Sequence, residues 1–169
     1  MDKHFELTNK FIINAFGVKL FQIKCTRRIK YAEVGDLGGY IEKEDNLSGD
    51  AWVSGDAQVY GNAQVYGDAQ VYGDAWVSGN ARVYGNAQVS GDARVSNNNE
   101  HCGFDCFGSV NRHTHAYKTQ SGKVEITCGC FRGSIEEFDR QVKKTHQGNK
   151  FERQYMAIAE VIKIKFGLK

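Results

Sequence analysis

Two histidines and two cysteines in the C-terminal third of the chain have the side-chain types of a metal or thiol site. The segment "NRHTHAYKTQSGKVEITCGC" places a Ser-Gly pair (residues 121–122) between two alternating runs, which predicts a β-hairpin with a two-residue loop. In that register His115 faces Cys128 and His113 faces Cys130, so all four lie on one face. Imidazole and thiolate are zinc ligands. The pattern indicates a zinc- or thiol-dependent enzyme or, alternatively, a packed core that contains free cysteines.

The middle of the chain is a strict six-residue repeat, written "GDAQVYGNAQVYGDAQVYGDAWVSGNARVYGNAQVSGDARVS" over residues 55–96. Every sixth residue from position 41 to position 95 is aliphatic, and from position 51 onward Ala precedes it by two places. An α-helix of 3.6 residues per turn cannot bury a stripe of period six. Gly-Asp and Gly-Asn pairs supply turns instead. We therefore expect residues 41–96 to form short strands and turns wound into about three coils, with Val and Ala inside.

This repeat resembles the hexapeptide-repeat proteins, which implies a left-handed parallel β-helix with three hexads per coil. Residues 18 apart then stack, and the positions beside each Val point outward. Six aromatic side chains occupy these positions and are candidate contacts in a homo-oligomer, a dimer or trimer, or with a ligand. Alternatively, they are present because aromatic side chains suit strands. They are Trp52, Tyr60, Tyr66, Tyr72, Trp76 and Tyr84.

The same resemblance raises an enzymatic alternative, because hexapeptide acyltransferases use a histidine base at a coil and related carbonic anhydrases bind zinc through coil histidines. Residues 41–96 contain neither His nor Cys. This segment therefore has no side chain suited to proton abstraction near neutral pH or to catalytic zinc. We expect no acyltransferase activity from the repeat.

The flanking segments predict two further units in a mainly β chain. Alternation of Phe21, Ile23 and Cys25 with polar residues predicts a strand within an N-terminal β cap, residues 1–40, that covers the open end of the coils. Residues 97–169 predict an α+β lobe, in which the hairpin is followed by two helices. Ser134 and Glu137 form a capping-box pattern before the first helix, and the second spans about residues 151–165.

Two longer motifs resemble uncharacterised bacteriophage and prophage proteins. They are "VGDLGGYIEKEDNLS" before the repeat and "GSVNRHTHAYKTQSGKVEITCGCFRGSIEEFDRQVKKTHQGN" after it. The resemblance implies this architecture and a phage-related origin. The "GSRN"-like loop of those proteins corresponds here to residues 108–111. Ser109, Asn111, Arg112 and His113 predict a site for a small anion at this loop, and the alternative is a plain turn entering the hairpin.

Charge and composition restrict the classes of partner. The formal net charge of the 169 residues is +2. Residues 46–96 carry five Asp against two Arg, whereas nine Lys or Arg stand against five acids after residue 130. Neither segment is basic enough to indicate nucleic acid binding. No apolar run approaches the roughly 20 residues that span a bilayer, no leader pattern opens the sequence, and the cysteine count is odd, so we expect a location in the bacterial cytoplasm.

Together these patterns predict a non-enzymatic binding or scaffolding protein of phage or prophage type, without a cofactor. The repeat would be a rigid spacer and oligomer surface, and the lobe would recognise a host protein or a small anionic ligand. One specific form is sequestration or inhibition of a host defence component or its anionic signal. The zinc- or thiol-dependent enzyme remains the alternative, with the acyltransferase less favoured.

Overall fold

The computed structural model describes residues 3–168. Met1, Asp2 and Lys169, which belong to the predicted cap and lobe, lie outside the described residues. The chain divides into two compact units, one that ends at Asn98 and one that begins at Asn99. Each unit is described by itself.

The first unit consists of strands joined by turns, as expected for a chain wound into coils. A short 3-10 helix, Glu44–Asn46, lies between the third and fourth strands. The strands are β1 (Phe5–Ile13), β2 (Lys19–Cys25), β3 (Leu37–Ile41), β4 (Trp52–Val53), β5 (Gln58–Val59), β6 (Gln64–Val65), β7 (Gln70–Val71), β8 (Trp76–Val77), β9 (Arg82–Val83), β10 (Gln88–Val89) and β11 (Arg94–Val95).

Strands 18 residues apart pair in parallel and form three sheets that surround one interior. The sheets are β3-β5-β8-β11, β4-β7-β10 and β6-β9. The stacked residues include Gln58, Trp76 and Arg94 on one side and Gln64 with Arg82 on another. The predicted β-solenoid of about three turns, in a mainly β chain with two C-terminal helices, is confirmed. Its left-handed winding remains a prediction.

The interior of the solenoid contains the two small aliphatic residues of each repeat. Every Val of the stacked column from Val53 to Val95 and every Ala from Ala51 to Ala93 is at most 1 % exposed. Burying a Val side chain contributes about 1.5–3 kcal/mol. The side chain beside each Val points to the other side of the strand, so the repeat separates an apolar interior from a variable outer surface.

The first coil is covered by strands rather than left as an open edge. β2 pairs antiparallel with β3, and β1 pairs antiparallel with β2. At another side of this coil the buried Asn46 side chain donates to the carbonyls of Gly61 (3.2 Å) and Ala63 (2.8 Å). The outer strand β1 has a register irregularity between Leu7 and Phe11, a feature that discourages further strand pairing.

The second unit is a four-stranded antiparallel sheet followed by two helices. The strands are β12 (His101–Phe107), β13 (Arg112–Lys118), β14 (Val124–Cys128) and β15 (Phe131–Gly133), in that spatial order. Helix α1 (Ile135–His146) has Ser134 as its N-cap with the predicted capping box, and α2 (Lys150–Phe166) follows. Apolar residues of both helices, including Phe138 and Ile158, pack on one face of the sheet.

We predict that a methyl group at Gly49 destabilises the solenoid more than one at Gly17. Both glycines have positive φ, 68° and 77°, so Ala at either site incurs the left-handed backbone cost of about 1–2 kcal/mol. A Cβ at Gly49 would lie 2.8 Å from the Gly67 nitrogen of the next coil, whereas Gly17 has open space. We expect Gly49→Ala to lower the free energy of unfolding by at least about 1 kcal/mol more than Gly17→Ala. Denaturant titration followed by circular dichroism measures this difference, and equal losses would contradict the stacking geometry.

Candidate functional site

The register of the C-terminal hairpin differs by one residue from the prediction. Thr114 pairs with Cys128, and His115 pairs with Thr127 rather than with Cys128. The cause is a three-residue loop in place of the predicted two-residue loop. Gly122 donates its backbone N–H to the Thr119 carbonyl at 2.9 Å and has φ +79°, so a turn followed by a left-handed residue closes the hairpin.

This change of register separates the predicted histidine–cysteine quartet. Cys128 lies on the sheet face that packs against α1 and α2, whereas His113 and His115 alternate with Thr114 and point to the opposite face. Cys130 follows β14 in a turn and is exposed. The prediction of one face that carries all four side chains is therefore wrong. Within residues 3–168 no group of three or more His, Cys, Asp or Glu is arranged to hold a metal ion.

The face opposite the helices carries a chain of three imidazoles that ends on a carboxylate. His113 Nδ1 lies 2.6 Å from Asp105 Oδ1, His113 Nε2 lies 3.5 Å from His115 Nδ1, and His115 Nε2 lies 3.1 Å from His101 Nδ1. One set of neutral tautomers satisfies all three contacts. In it, each ring donates its Nδ1–H toward the Asp105 end and accepts at Nε2.

The two buried imidazoles of this chain, His101 and His115, are neutral at neutral pH. Burial lowers the pKa of His101 to about 4, and the Lys165 charge acts in the same direction. Burial also lowers the pKa of His115 far below its usual range, with smaller contributions from its two neighbouring histidines. Sequence analysis missed His101 and Asp105. They alternate along β12 at period two, which would have placed them beside His113 and His115 had this strand been predicted.

The sheet of the lobe contains two arginines, Arg112 in β13 and Arg132 in β15. The Glu125 carboxylate, on the same face as the imidazoles, forms an ion pair with Arg132. The Tyr117 hydroxyl donates to Glu125 Oε1 at 2.6 Å. Arg132 donates to both oxygens of Glu125, at 2.5 Å and 3.2 Å. The two-residue loop would have placed Glu125 opposite Lys118, whereas the observed register places it opposite Tyr117.

The other sheet arginine, Arg112, lines a cavity of about 170 Å³ between the sheet edge and the helices of the lobe. Phe131, Phe138 and Val142 form its apolar wall, and no Asp or Glu of the described residues lines it. Its polar lining consists of Arg112, Cys128, Cys130, Gln141, Thr145, His146 and Tyr155.

Two hydrogen-bond donors at this cavity have unused capacity. Among residues 3–168, the Arg112 guanidinium forms no ion pair and no hydrogen bond. Tyr155 is 5 % exposed, and within the described residues its hydroxyl has one contact of hydrogen-bond length, a 4.0 Å approach from Cys128 Sγ. Burial and Cys128 raise the pKa of Tyr155 to about 12 although the Arg112 charge opposes them, so the hydroxyl keeps its proton at neutral pH.

The structure places the four predicted anion-binding residues in three different environments. Arg112 lines the cavity, whereas His113 lies on the opposite face of the sheet. Ser109 and Asn111 are exposed in the turn before β13, where Asn111 has φ +50°. The turn is fixed to α2 because the Gly108 N–H donates to Gln154 Oε1 at 3.1 Å. Sequence analysis assigned no ligand role to His146 of α1 and Tyr155 of α2, because the contacts of these helices with the sheet are not visible in the local pattern.

The outward aromatic residues of the solenoid are less exposed than expected. Trp52 is 5 % exposed, so its prediction as an interface residue is wrong, and the His4 ring lies 6.1 Å from it. The Phe16 ring packs 6.3 Å from Tyr60 and 5.9 Å from Trp76, because the turn after β1 places Phe16 over this side. Residues that flank β1 therefore cover aromatic positions that the repeat by itself would leave open.

A stacked tyrosine pair remains at the solenoid surface. The rings of Tyr66 and Tyr84 lie 5.4 Å apart with an interplanar angle of 17°, as the 18-residue stacking predicts. Tyr84 is 53 % exposed, and Tyr72, on another side, is half-buried.

The solenoid is similar to a known repeat family. A family model described as the YdcK beta solenoid repeat matches residues 57–73, 63–78, 69–85, 75–89 and 87–99. These matches cover the coils from β5 onward, and the last one ends at Asn99, the first residue of the second unit. No curated protein matches the chain. No helix within residues 3–168 has the length and apolar character needed to cross a membrane.

We predict that the lobe loses stability as the pH falls below about 6.5. The folded-state pKa of His101 is about 4 and its unfolded value is 6.5, so folding favours the neutral ring. This contribution is complete above the unfolded pKa and is lost as the pH falls toward the folded pKa, by about 3 kcal/mol for His101 alone. Denaturant unfolding at a series of pH values measures the slope. His101→Gln should reduce the slope between about pH 4 and 6.5, and His146→Gln, outside the imidazole chain, is the matched control. A slope equal in the wild type and in His101→Gln would contradict the assignment.

Proposed function

We propose that this protein is a non-enzymatic binding protein whose C-terminal lobe captures a small anionic ligand at Arg112. The observation that carries the proposal is the Arg112 guanidinium, which lines a cavity of about 170 Å³ and forms no ion pair with any residue from 3 to 168. The solenoid is the rigid scaffold that presents the lobe. Arg112 is exposed, so its guanidinium is accessible to a carboxylate or phosphate with which it would form charge-assisted hydrogen bonds.

The chemistry of the lining supports a carboxylate or phosphate. A guanidinium offers donors in a planar fork that matches either group, and the protonated Tyr155 hydroxyl supplies a further donor. Arg132 provides the contrast, because Glu125 already occupies its fork. Of these two arginines, Arg112 is the one whose charge is available to a ligand.

The size of the cavity limits the ligand. A volume of about 170 Å³ lies below the roughly 300–1,000 Å³ usual for drug-sized ligands. The cavity therefore suits one phosphate or carboxylate with a few attached atoms, or the anionic end of a larger molecule. The apolar wall of Phe131, Phe138 and Val142 would contact the carbon atoms next to the anionic group.

The resemblance to bacteriophage and prophage proteins supports a more specific form of this proposal. In it, the protein acts in the cytoplasm of a bacterial host and sequesters an anionic signal, or inhibits a component of host defence. The zinc- or thiol-dependent alternative receives less support, because the register places Cys128 and the two predicted histidines on opposite faces. The acyltransferase alternative lacks a histidine in residues 41–96.

We predict that the lobe binds small phosphates through Arg112. Calorimetric titration with inorganic phosphate, ribose 5-phosphate and adenosine monophosphate should show binding that Arg112→Gln weakens at least about tenfold, the effect of losing one charge-assisted contact of about 1.4 kcal/mol or more. Lys123→Gln removes an exposed cation that does not line the cavity and is the matched control.

Two results would contradict this function. One is the absence of binding both for all three phosphates and for small carboxylates. The other is affinity that Arg112→Gln and Lys123→Gln change equally, since a general charge effect would then explain it. Unfolding curves for both variants establish whether a loss of binding is a loss of folding.

We also propose that the chain self-associates through the side of the solenoid that carries the tyrosine pair. Of the six predicted aromatic contacts, Tyr84 is the most exposed of those described, and it stacks on Tyr66. Stacked aromatic rings offer a large rigid surface at low entropic cost. The proposal narrows the predicted dimer or trimer interface to one side of the coil.

We predict that light scattering gives a mass of two or three chains and that Tyr84→Ala moves it toward one. Tyr72→Ala, a half-buried tyrosine on another side, should leave the mass unchanged. A single-chain mass for the wild type at all concentrations tested would exclude this role of the tyrosine pair.

A further inference from the structure

Two cysteines line one edge of the Arg112 cavity, one at the end of β14 and one in the turn that follows it. β14 ends at Cys128 and β15 begins at Phe131, and these two residues pair across the hairpin. Gly129 and Cys130 form the loop, and Gly129 has φ +60°. Glycine at the first loop position is typical of a type II′ hairpin turn, which presents the following residue at the surface.

The two thiols differ in access. Cys128 is 7 % exposed, and Thr114 Oγ1 donates to its Sγ at 3.3 Å. Cys130 is exposed and lines the same cavity. A reagent that enters from solvent therefore meets Cys130 first.

The Arg112 side chain lies against the backbone between these two cysteines. A Cβ built on Gly129 would be 2.9 Å from Arg112 Nη1 and 3.1 Å from its Cζ. The guanidinium therefore lies beside the turn that carries Cys130. The buried Tyr155 hydroxyl belongs to the same cavity, and its one contact of hydrogen-bond length within residues 3–168 is the long 4.0 Å approach to Cys128 Sγ.

We propose that Cys130 is a site of reversible thiol–disulfide modification by small anionic disulfides, with Arg112 holding the anionic group of the reagent. The inference rests on the proposed anion-binding function of the cavity. The Cys130 thiolate attacks one sulfur of a disulfide R–S–S–R. The bond between Cys130 Sγ and that sulfur forms, the S–S bond of the reagent breaks, and R–S⁻ leaves with the electron pair and takes a proton from water. A second thiol reverses the step.

Arg112 accelerates this exchange for electrostatic reasons. Negative charge is distributed over three sulfur atoms during attack, and a nearby guanidinium stabilises it. The same guanidinium raises the local concentration of an anionic reagent relative to a neutral one. Cys106 is an internal comparison, because it is also exposed but does not line the cavity and follows the acidic Asp105.

The test compares an anionic and a neutral disulfide on the full chain. Glutathione disulfide and 2-hydroxyethyl disulfide are reacted separately, and mass spectrometry gives the rate constants at Cys130 and Cys106. We expect the Cys130-to-Cys106 rate ratio to be about tenfold higher with glutathione disulfide, as expected for one charge interaction near a protein surface. Arg112→Gln should remove this preference, and Lys123→Gln should keep it.

A rate ratio that is the same for both disulfides in the wild type overturns the proposal, even if Arg112→Gln does not fold. A preference that persists in folded Arg112→Gln also overturns it. Phosphate titration of the same preparation separates the two proposals. Binding of phosphate through Arg112 without a preference at Cys130 rejects the modification site alone, whereas a preference at Cys130 with no binding of phosphates or of small carboxylates rejects the proposed ligand function.

Discussion

The backbone hydrogen bonds between successive coils are the interaction on which the first unit depends. The Trp52 N–H donates to the Ala69 carbonyl at 2.9 Å, and the Gln70 N–H donates to the Ala87 carbonyl at 2.8 Å. This ladder fixes the distance between coils, so a residue stacks on the one 18 positions later. It also removes the space for a methyl group where Gly49 approaches Gly67. The Val column, the tyrosine stack and the turn chemistry all follow from that spacing.

The lobe depends on a different constraint, the alternation of side chains across its sheet. The helices cover one face and remove the Cys128 side from solvent. The opposite face holds the hydrogen-bonded imidazoles and the Glu125–Arg132 pair. The Arg112 cavity opens at the edge near the helices, where no carboxylate among the described residues lines it. Within this unit, the polar groups that already have hydrogen-bond partners on the opposite face of the sheet are therefore separate from Arg112, which is available to a ligand.

The sequence predicted the solenoid well because its evidence is repeated many times. Each hexad independently places a small residue, a Val and a turn, so an error at one position does not change the result. Even side-chain stacking was predictable, as Tyr66 on Tyr84 shows. The burial of Trp52 was not predictable, because His4, whose ring lies beside it, is far away in the sequence.

The sequence by itself determined the solenoid, the hairpin and the two helices, since these follow from local periodicity and capping. Tertiary structure alone decided the hairpin register, because a Ser-Gly pair suits both a two-residue loop and a longer loop that ends in a left-handed Gly122. That one-residue difference turned Cys128 toward the helices and His115 toward His101. Tertiary structure also places Arg112, which has no ion-pair or hydrogen-bond partner among residues 3–168, at the same cavity as Tyr155 of α2, a contact that no local pattern predicts.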